Sequence, residues 1–377
     1  MIFTAEHAAW IENHRQEHLE LLLTLAQIPA PSNQEEKRAE FILNWLHANG
    51  GTDAYRDEAL NVILPLGVTA HNPLVVFAAH SDVVFPDTDP LPLRIEEGKI
   101  FCPGVGDDTA SVVSLLMCAK YLLEAGAHPK DRGVLIVIDS GEEGLGNLKG
   151  IRQLFDTFGT RIREFISFDG GECRCVNRAV GSKRYRIAID TEGGHSYGAF
   201  GNRNAIAYLA SLIDTLYTIK VPPLGKTTYN VGTISGGTSV NTIAQHAEML
   251  YEFRSDEAEA LAIMEAHLEA ALTFYRTKGI TVTAELVGDR PCSASVDPEI
   301  MDAMTARAVA ATERHYGRDL RFDAGSTDCN IPLSRGVAAL CLGVYRGRGA
   351  HTREENIDID SLIPGVNFLF DTVLYHF

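Results

Sequence analysis

The chain has 377 residues, 45% of them hydrophobic and 22% charged, with a formal net charge of −17. That length predicts two domains, and the composition excludes a disordered chain. So negative a protein repels nucleic acid and anionic membrane surfaces, which leaves cations and small molecules as ligands.

The stretch from Met1 to Ile28 mixes Glu, His and Arg with Leu and lacks the layout of a secretion signal. Apolar runs stay well short of the roughly 18 residues that span a bilayer, so a soluble, cytoplasmic protein is expected. The seven cysteines are an odd number, and Cys173 and Cys175 form the one close pair. This fits a reducing compartment, with those two thiols in ordinary packing.

In chain order, Leu19, Leu22, Leu23 and Ala26 recur at helical spacing, and Pro29 and Pro31 stop that helix. Ser32 with Glu35 reads as a capping box opening a second helix, whose stripe is Phe41, Ile42, Trp45 and Leu46. Residues 74–79, 134–138, 165–168 and 338–344 are nearly continuous apolar runs, as in strands of a mostly parallel sheet buried on both faces. The stretch 110–125 reads as one of the covering helices. From about 183 the pattern changes to half-buried strands: strand 183–189, helix 203–218, strands 228–235 and 246–254, helix 256–278, strand 280–287. That order is βαββαβ, a ferredoxin-like α+β unit. The expected fold is therefore an α/β domain formed by 1–182 and 289–377, interrupted by a smaller domain at 183–288.

Ligands of such sheets collect beyond the carboxyl ends of the strands, and there this chain places acids and imidazoles. His80-Ser81-Asp82, Glu142-Glu143 and Asp169 each follow an apolar run. Gly104-Val105-Gly106-Asp107-Asp108-Thr109 opens a helix, and His351 follows the last run. Each segment alone has a bland explanation as a turn, a cap or solvated charge. A nucleotide site fits poorly, because the third glycine of the dinucleotide fingerprint is missing and two carboxylates would face a pyrophosphate. Acids and imidazoles after every central strand suit a cation, and adjacent carboxylates can divide metal binding from proton transfer.

The series His80-Ser81-Asp82, Gly106-Asp107-Asp108, Gly141-Glu142-Glu143-Gly144, Asp169-Gly170, Gly193-Gly194-His195-Ser196, Gly236 to Asn241, Gly325 to Asp328 and His351 resembles the cocatalytic zinc metallopeptidases. That family includes glutamate carboxypeptidases, aminotripeptidases, acetylornithine deacetylase and succinyl-diaminopimelate desuccinylase, and the resemblance covers nearly the whole chain. It implies that Asp107 bridges two Zn²⁺ ions per subunit, with His80 and Asp169 completing one site and Glu143 and His351 the other. Co²⁺ or Mn²⁺ would suit the same ligands. Glu142 would carry the proton and Asp82 would orient His80. The inserted domain would pair two subunits, His195 reaching across to polarise the scissile carbonyl. Asn241, Arg254, Gly325 and Ser326 would line the substrate pocket. The chain departs from many relatives at Thr109, where they have Lys, and at Glu252-Phe253-Arg254, where they have Asp-x-Arg. The implied activity is cleavage of an amide bond in a short peptide, aminotripeptidase-like. The alternatives are deacylation of an N-acyl amino acid on the same metals and a non-catalytic binding protein on the same fold.

Overall fold

The computed structural model describes residues 1–377, with the side chain of Thr160 set aside. The chain forms two compact units, Met1–Arg178 with Ala294–Phe377, and Ala179–Ser293.

The first unit is built on an eight-stranded sheet. Its order is Tyr55–Arg56, Val62–Leu66, Gly133–Asp139, Leu74–His80, Ile162–Phe168, Ala338–Leu342, Arg174–Ala179, Arg321–Gly325. The four strands that begin at Gly133, Leu74, Ile162 and Ala338 run parallel, and Val62–Leu66 and Arg174–Ala179 pair antiparallel to them. Strands 74–80 and 133–139 are buried at every position, so no polar alternation survives in their sequence. Leu115, Leu116, Cys118 and Leu122 of the helix Ser111–Glu124 pack into the same core as Val75, Phe77 and Ile136. Register then fixes the working edge. His80 lies opposite Asp139, and the Asp169 amide donates to Leu342 O at 3.1 Å, so four parallel strands end side by side.

The helix Glu36–Ala48 begins one residue after Glu35, and the expected Ser32–Glu35 capping box does not form. Glu35 is buried and takes an ion pair from Lys149 at 2.8 Å, while the Ser32 hydroxyl turns to Asp82. Long-range partners outcompete the local cap.

In the second unit Gly181–Asp190, Thr227–Gly236, His246–Ser255 and Thr281–Arg290 form an antiparallel sheet, with Ala205–Leu216 and Ala258–Thr277 as its helices. The spatial order of the four strands, second-third-first-fourth, is the ferredoxin-like arrangement. Ala247, Met249, Tyr251 and Phe253 supply its buried face. All seven cysteines are free and buried, and no helix among the described residues is long and apolar enough to cross a membrane.

Candidate metal centre

Asp107 stands between two imidazoles. Its Oδ1 lies 3.0 Å from His80 Nε2 and its Oδ2 lies 3.2 Å from His351 Nε2. His351 Nε2 also meets Glu143 Oε1 at 2.9 Å. Ligand atoms of His80, Asp107 and Glu143 all lie within 4.8 Å of one another. Asp169 joins the same electrostatic cluster, because Asp107, His80 and Glu143 act on its carboxyl.

Contacts both near and far in sequence hold these groups. His80 ends a central strand, and its Nδ1 lies 3.1 Å from the Asp82 carbonyl oxygen and 3.6 Å from the Asp82 carboxylate. The orienting contact from Asp82 is thus its main chain. Its carboxylate instead accepts the Glu142 and Glu143 amides at 3.0 and 2.9 Å and the Ser32 hydroxyl at 2.6 Å. One buried carboxylate therefore fixes the backbone of both adjacent glutamates.

The loop carrying Asp107 is organised by Glu355, which the sequence reading did not single out. The Glu355 carboxylate accepts the amides of Gly104, Gly106 and Asp107 at 2.7, 2.9 and 2.8 Å. Such a backbone nest suits an anion. The glycines are steric necessities: Gly104 has φ 75°, and a Cβ there would stand 2.3 Å from Val83 Cγ1. A Cβ on Gly106 would stand 2.6 Å from the Tyr345 ring. A signal for Glu355 was present in its position four residues after His351, but its partners are backbone amides and leave no mark in composition. His351 adopts φ 64°, a left-handed conformation that His occupies more readily than most residues.

The electrostatics are those of crowded carboxylates. Burial by itself would raise the Asp107 carboxyl, but the flanking His351 and His80 hold it well below the usual range. Burial works against the His80 imidazolium, yet Asp107 and Asp82 raise it well above its ordinary value. Asp107 and Glu143 push His351 up to about 10. Burial, followed by Asp107, pushes Asp169 up to about 7. Behind the centre Asp328 is buried against Asp139, and burial with that neighbour's charge drives Asp328 well above the usual range. A cluster of this kind holds either protons or cations.

The donor set is imidazole and carboxylate without thiolate, which suits zinc, cobalt or manganese. The buried Asp108 Oδ1 has no hydrogen-bond partner among the described residues, a further unsatisfied acceptor at this edge.

The inserted unit carries His195, Asn241 and Arg254. His195 is exposed on a two-residue strand paired with Thr242–Ile243. Its Nδ1 accepts the amides of Tyr197 and Gly198, both at 3.3 Å, which leaves the Nε2 proton to be donated. Asn241 lies beside it: its carbonyl receives the Ser196 amide at 2.9 Å and its side chain the Ser239 hydroxyl at 2.9 Å. Arg254 is engaged by Glu252 through two bonds of 3.0 and 3.1 Å, and Glu252 also meets Arg184 at 3.4 Å. The predicted carboxylate holder thus already holds a carboxylate. Gly325 and Ser326 are partly buried in the first unit, at the end of an edge strand.

Residues 76–375 match the sequence model described as peptidase family M20/M25/M40. Among curated proteins, the succinyl-diaminopimelate desuccinylase of Stenotrophomonas maltophilia is 26% identical over 329 residues, covering 78% of this chain and 82% of that protein. Among solved structures, a tripeptidase of Staphylococcus aureus superposes with a TM-score of 0.74 at 22% identity, over 95% of this chain and 97% of that one. A Bacillus subtilis protein described as a dinuclear metal binding peptidase superposes with a TM-score of 0.64 at 15% identity, over 97% and 100%.

Proposed function

Because the chain belongs to peptidase family M20/M25/M40, a family of hydrolases acting on amide bonds, we propose that its acidic centre holds two divalent cations, zinc foremost, and cleaves the amide bond of a short peptide. The observation that carries this reading is Asp107, which offers one oxygen toward each of two imidazoles. His80 and Asp169 would hold one cation and Glu143 and His351 the other, with Asp107 common to both. When bound, the pair supplies Lewis acidity toward the scissile carbonyl and lowers the pKa of water.

The protein's own groups do the rest. Glu142 is buried and its backbone is fixed by Asp82, which suits a group that takes a proton from water and returns it to the leaving amine. His195, with Nε2–H free to donate, suits an oxyanion. Asn241, Arg254, Gly325 and Ser326 would contact the rest of the substrate. The inserted unit would pair two copies of the chain. In support, Thr227–Gly236 is an edge strand with one neighbour, and Ile234 and Val240 are exposed nearby.

The structural likeness to a tripeptidase favours a peptide substrate, and the desuccinylase relative favours an N-acyl amino acid as the second reading. Metal analysis with a substrate panel separates them. Two equivalents of zinc and turnover of Ala-, Gly- or Leu-containing tripeptides support the first reading, whereas turnover confined to N-acetyl or N-succinyl amino acids supports the second. Glu142→Gln should keep its metal and lose about 10²- to 10⁴-fold in rate, the usual worth of a positioned acid–base group. Retained activity in that variant removes Glu142 from its role.

A further inference from the structure

Arg38, on the helix Glu36–Ala48, is fully buried at 0% exposure. Its Nε and Nη2 donate to Ile28 O at 3.1 and 2.7 Å, and its Nη1 donates to Ser81 O at 2.8 Å and to Thr109 Oγ1 at 3.3 Å. Among the described residues these partners are two carbonyls and a hydroxyl, with no carboxylate. An ion removed from water without an ionic partner is costly, so a fold keeps one where it has work.

The partners show what that work is. Ser81 lies between His80 and Asp82, and its amide and hydroxyl are both tied to Asp139 O, at 2.8 and 2.7 Å. Thr109 follows Asp107-Asp108 and donates its own proton to Gly104 O at 2.6 Å. One guanidinium nitrogen thus joins the two segments whose ligand atoms, His80 Nε2 and Asp107 Oδ1, stand 3.0 Å apart. Glu355 and Ser32 each brace one of these segments; Arg38 bonds to both. Burial lowers the guanidinium to about 10, against the pull of the Asp82 charge, which leaves it ionised at neutral pH.

We propose, resting on the two-cation reading above, that Arg38 is a positioning residue for the metal centre: it sets the separation of the 80–82 and 107–109 segments and places a permanent positive charge behind their carboxylates. The planar fork matters as well as the charge, because a lysine ammonium cannot address three acceptors in these directions.

The test is zinc affinity, by competition with a chromophoric chelator, together with the visible spectrum of the cobalt-loaded protein. It uses the full chain as wild type, Arg38→Met, Arg38→Lys and Leu46→Ala, the last a core truncation on the same helix. Arg38→Met is expected to weaken zinc binding by about 10- to 100-fold, the range for groups that orient metal ligands, and to alter the cobalt spectrum. Arg38→Lys should recover part of the affinity but not the spectrum. Leu46→Ala should lower the melting temperature and leave both metal readouts at wild type. Wild-type affinity and spectrum in Arg38→Met overturn the proposal, as does equal weakening in Leu46→Ala. Should Arg38→Met fail to fold, wild-type readouts in Arg38→Lys overturn it. A wild-type protein that binds neither zinc nor cobalt would instead remove the two-cation reading itself.

Discussion

The amide of Asp107 is held by Glu355, 248 residues further along the chain, whereas the guanidinium of Arg254 is held by Glu252, two residues away. The same contrast runs through the two units. His80, Glu142 and Glu143 are tied to groups on other segments of the unit, among them Asp107, Asp82 and Ser32. His195 is held by Tyr197 and Gly198, and the Asn241 side chain by Ser239, all within three residues. Long-range contacts exist only when the whole unit is folded, so the first set is rigid and preorganised. Local contacts on exposed turns cost little to exchange, which suits groups that must adapt to a substrate.

The strongest way to break this contrast is Glu355→Gln. The carboxylate serves three amides, and a glutamine offers one carbonyl oxygen and turns an NH₂ toward the rest. Leaving a buried amide unpaired costs about 1–3 kcal/mol. With Asp107 on the loosened loop, zinc affinity should fall by about tenfold or more. Isothermal titration with zinc reads this directly. Unchanged affinity would mean that the glycine loop holds Asp107 unaided.

A smaller effect distinguishes the units by pH. In the metal-free protein Asp139, Asp169 and Glu355 titrate at about 7, against 3.8 for aspartate and 4.5 for glutamate unfolded, and His351 at about 10 against 6.5. Each binds its proton more tightly when folded. The stability they contribute is therefore fully present in acid and declines as pH rises through 7 for the carboxyls and toward 10 for the imidazole. Asp82 and Asp107, whose carboxyls are lowered, act in the opposite sense only near and below pH 4. In the inserted unit the displaced groups titrate outside this window, as Glu252 and Glu265 are lowered and Tyr185 and Tyr251 raised. From pH 5 to 9 the metal-free first unit should lose about 5 °C or more in Tm, at roughly 2–4 °C per kcal/mol. The inserted unit should stay level. Amide exchange of strands 133–139 and 246–255, corrected for intrinsic rates, separates the two, and excess zinc should flatten the first profile.

What the sequence disclosed follows the same division. Continuous apolar runs revealed the parallel strands, and the residues just past their ends revealed His80, Glu143 and Asp169, because strand ends converge whatever the connections do. Alternation revealed the four strands of the inserted unit to within three residues at each end. The bracing groups were hidden. Ser32 and Glu35 have the spacing of a local cap and instead serve Asp82 and Lys149, and Arg38 looks like one more charge on an amphipathic helix. Their partners are carbonyls, amides and charges from remote segments, which only the folded topology brings near.

The last and smallest effect concerns Arg254, where the sequence already departed from its relatives. Glu252 binds it through two hydrogen bonds and also meets Arg184, so a substrate carboxylate must displace or share an internal one. Glu252 and Arg254 are 29% and 36% exposed, so solvent screens the pair and its worth is about 0.2–1 kcal/mol. If Arg254 contacts substrate, Glu252→Gln removes the competitor. KM for a substrate with a terminal carboxylate should then fall by up to about fivefold while kcat holds, the pattern of binding gained equally in ground and transition states. The amidated substrate should gain nothing. A rise in KM for the acid would show that Glu252 aims Arg254 and does not compete for it. No change for either substrate would place the pair outside the substrate's reach and leave recognition to residues such as Asn241 and Ser326.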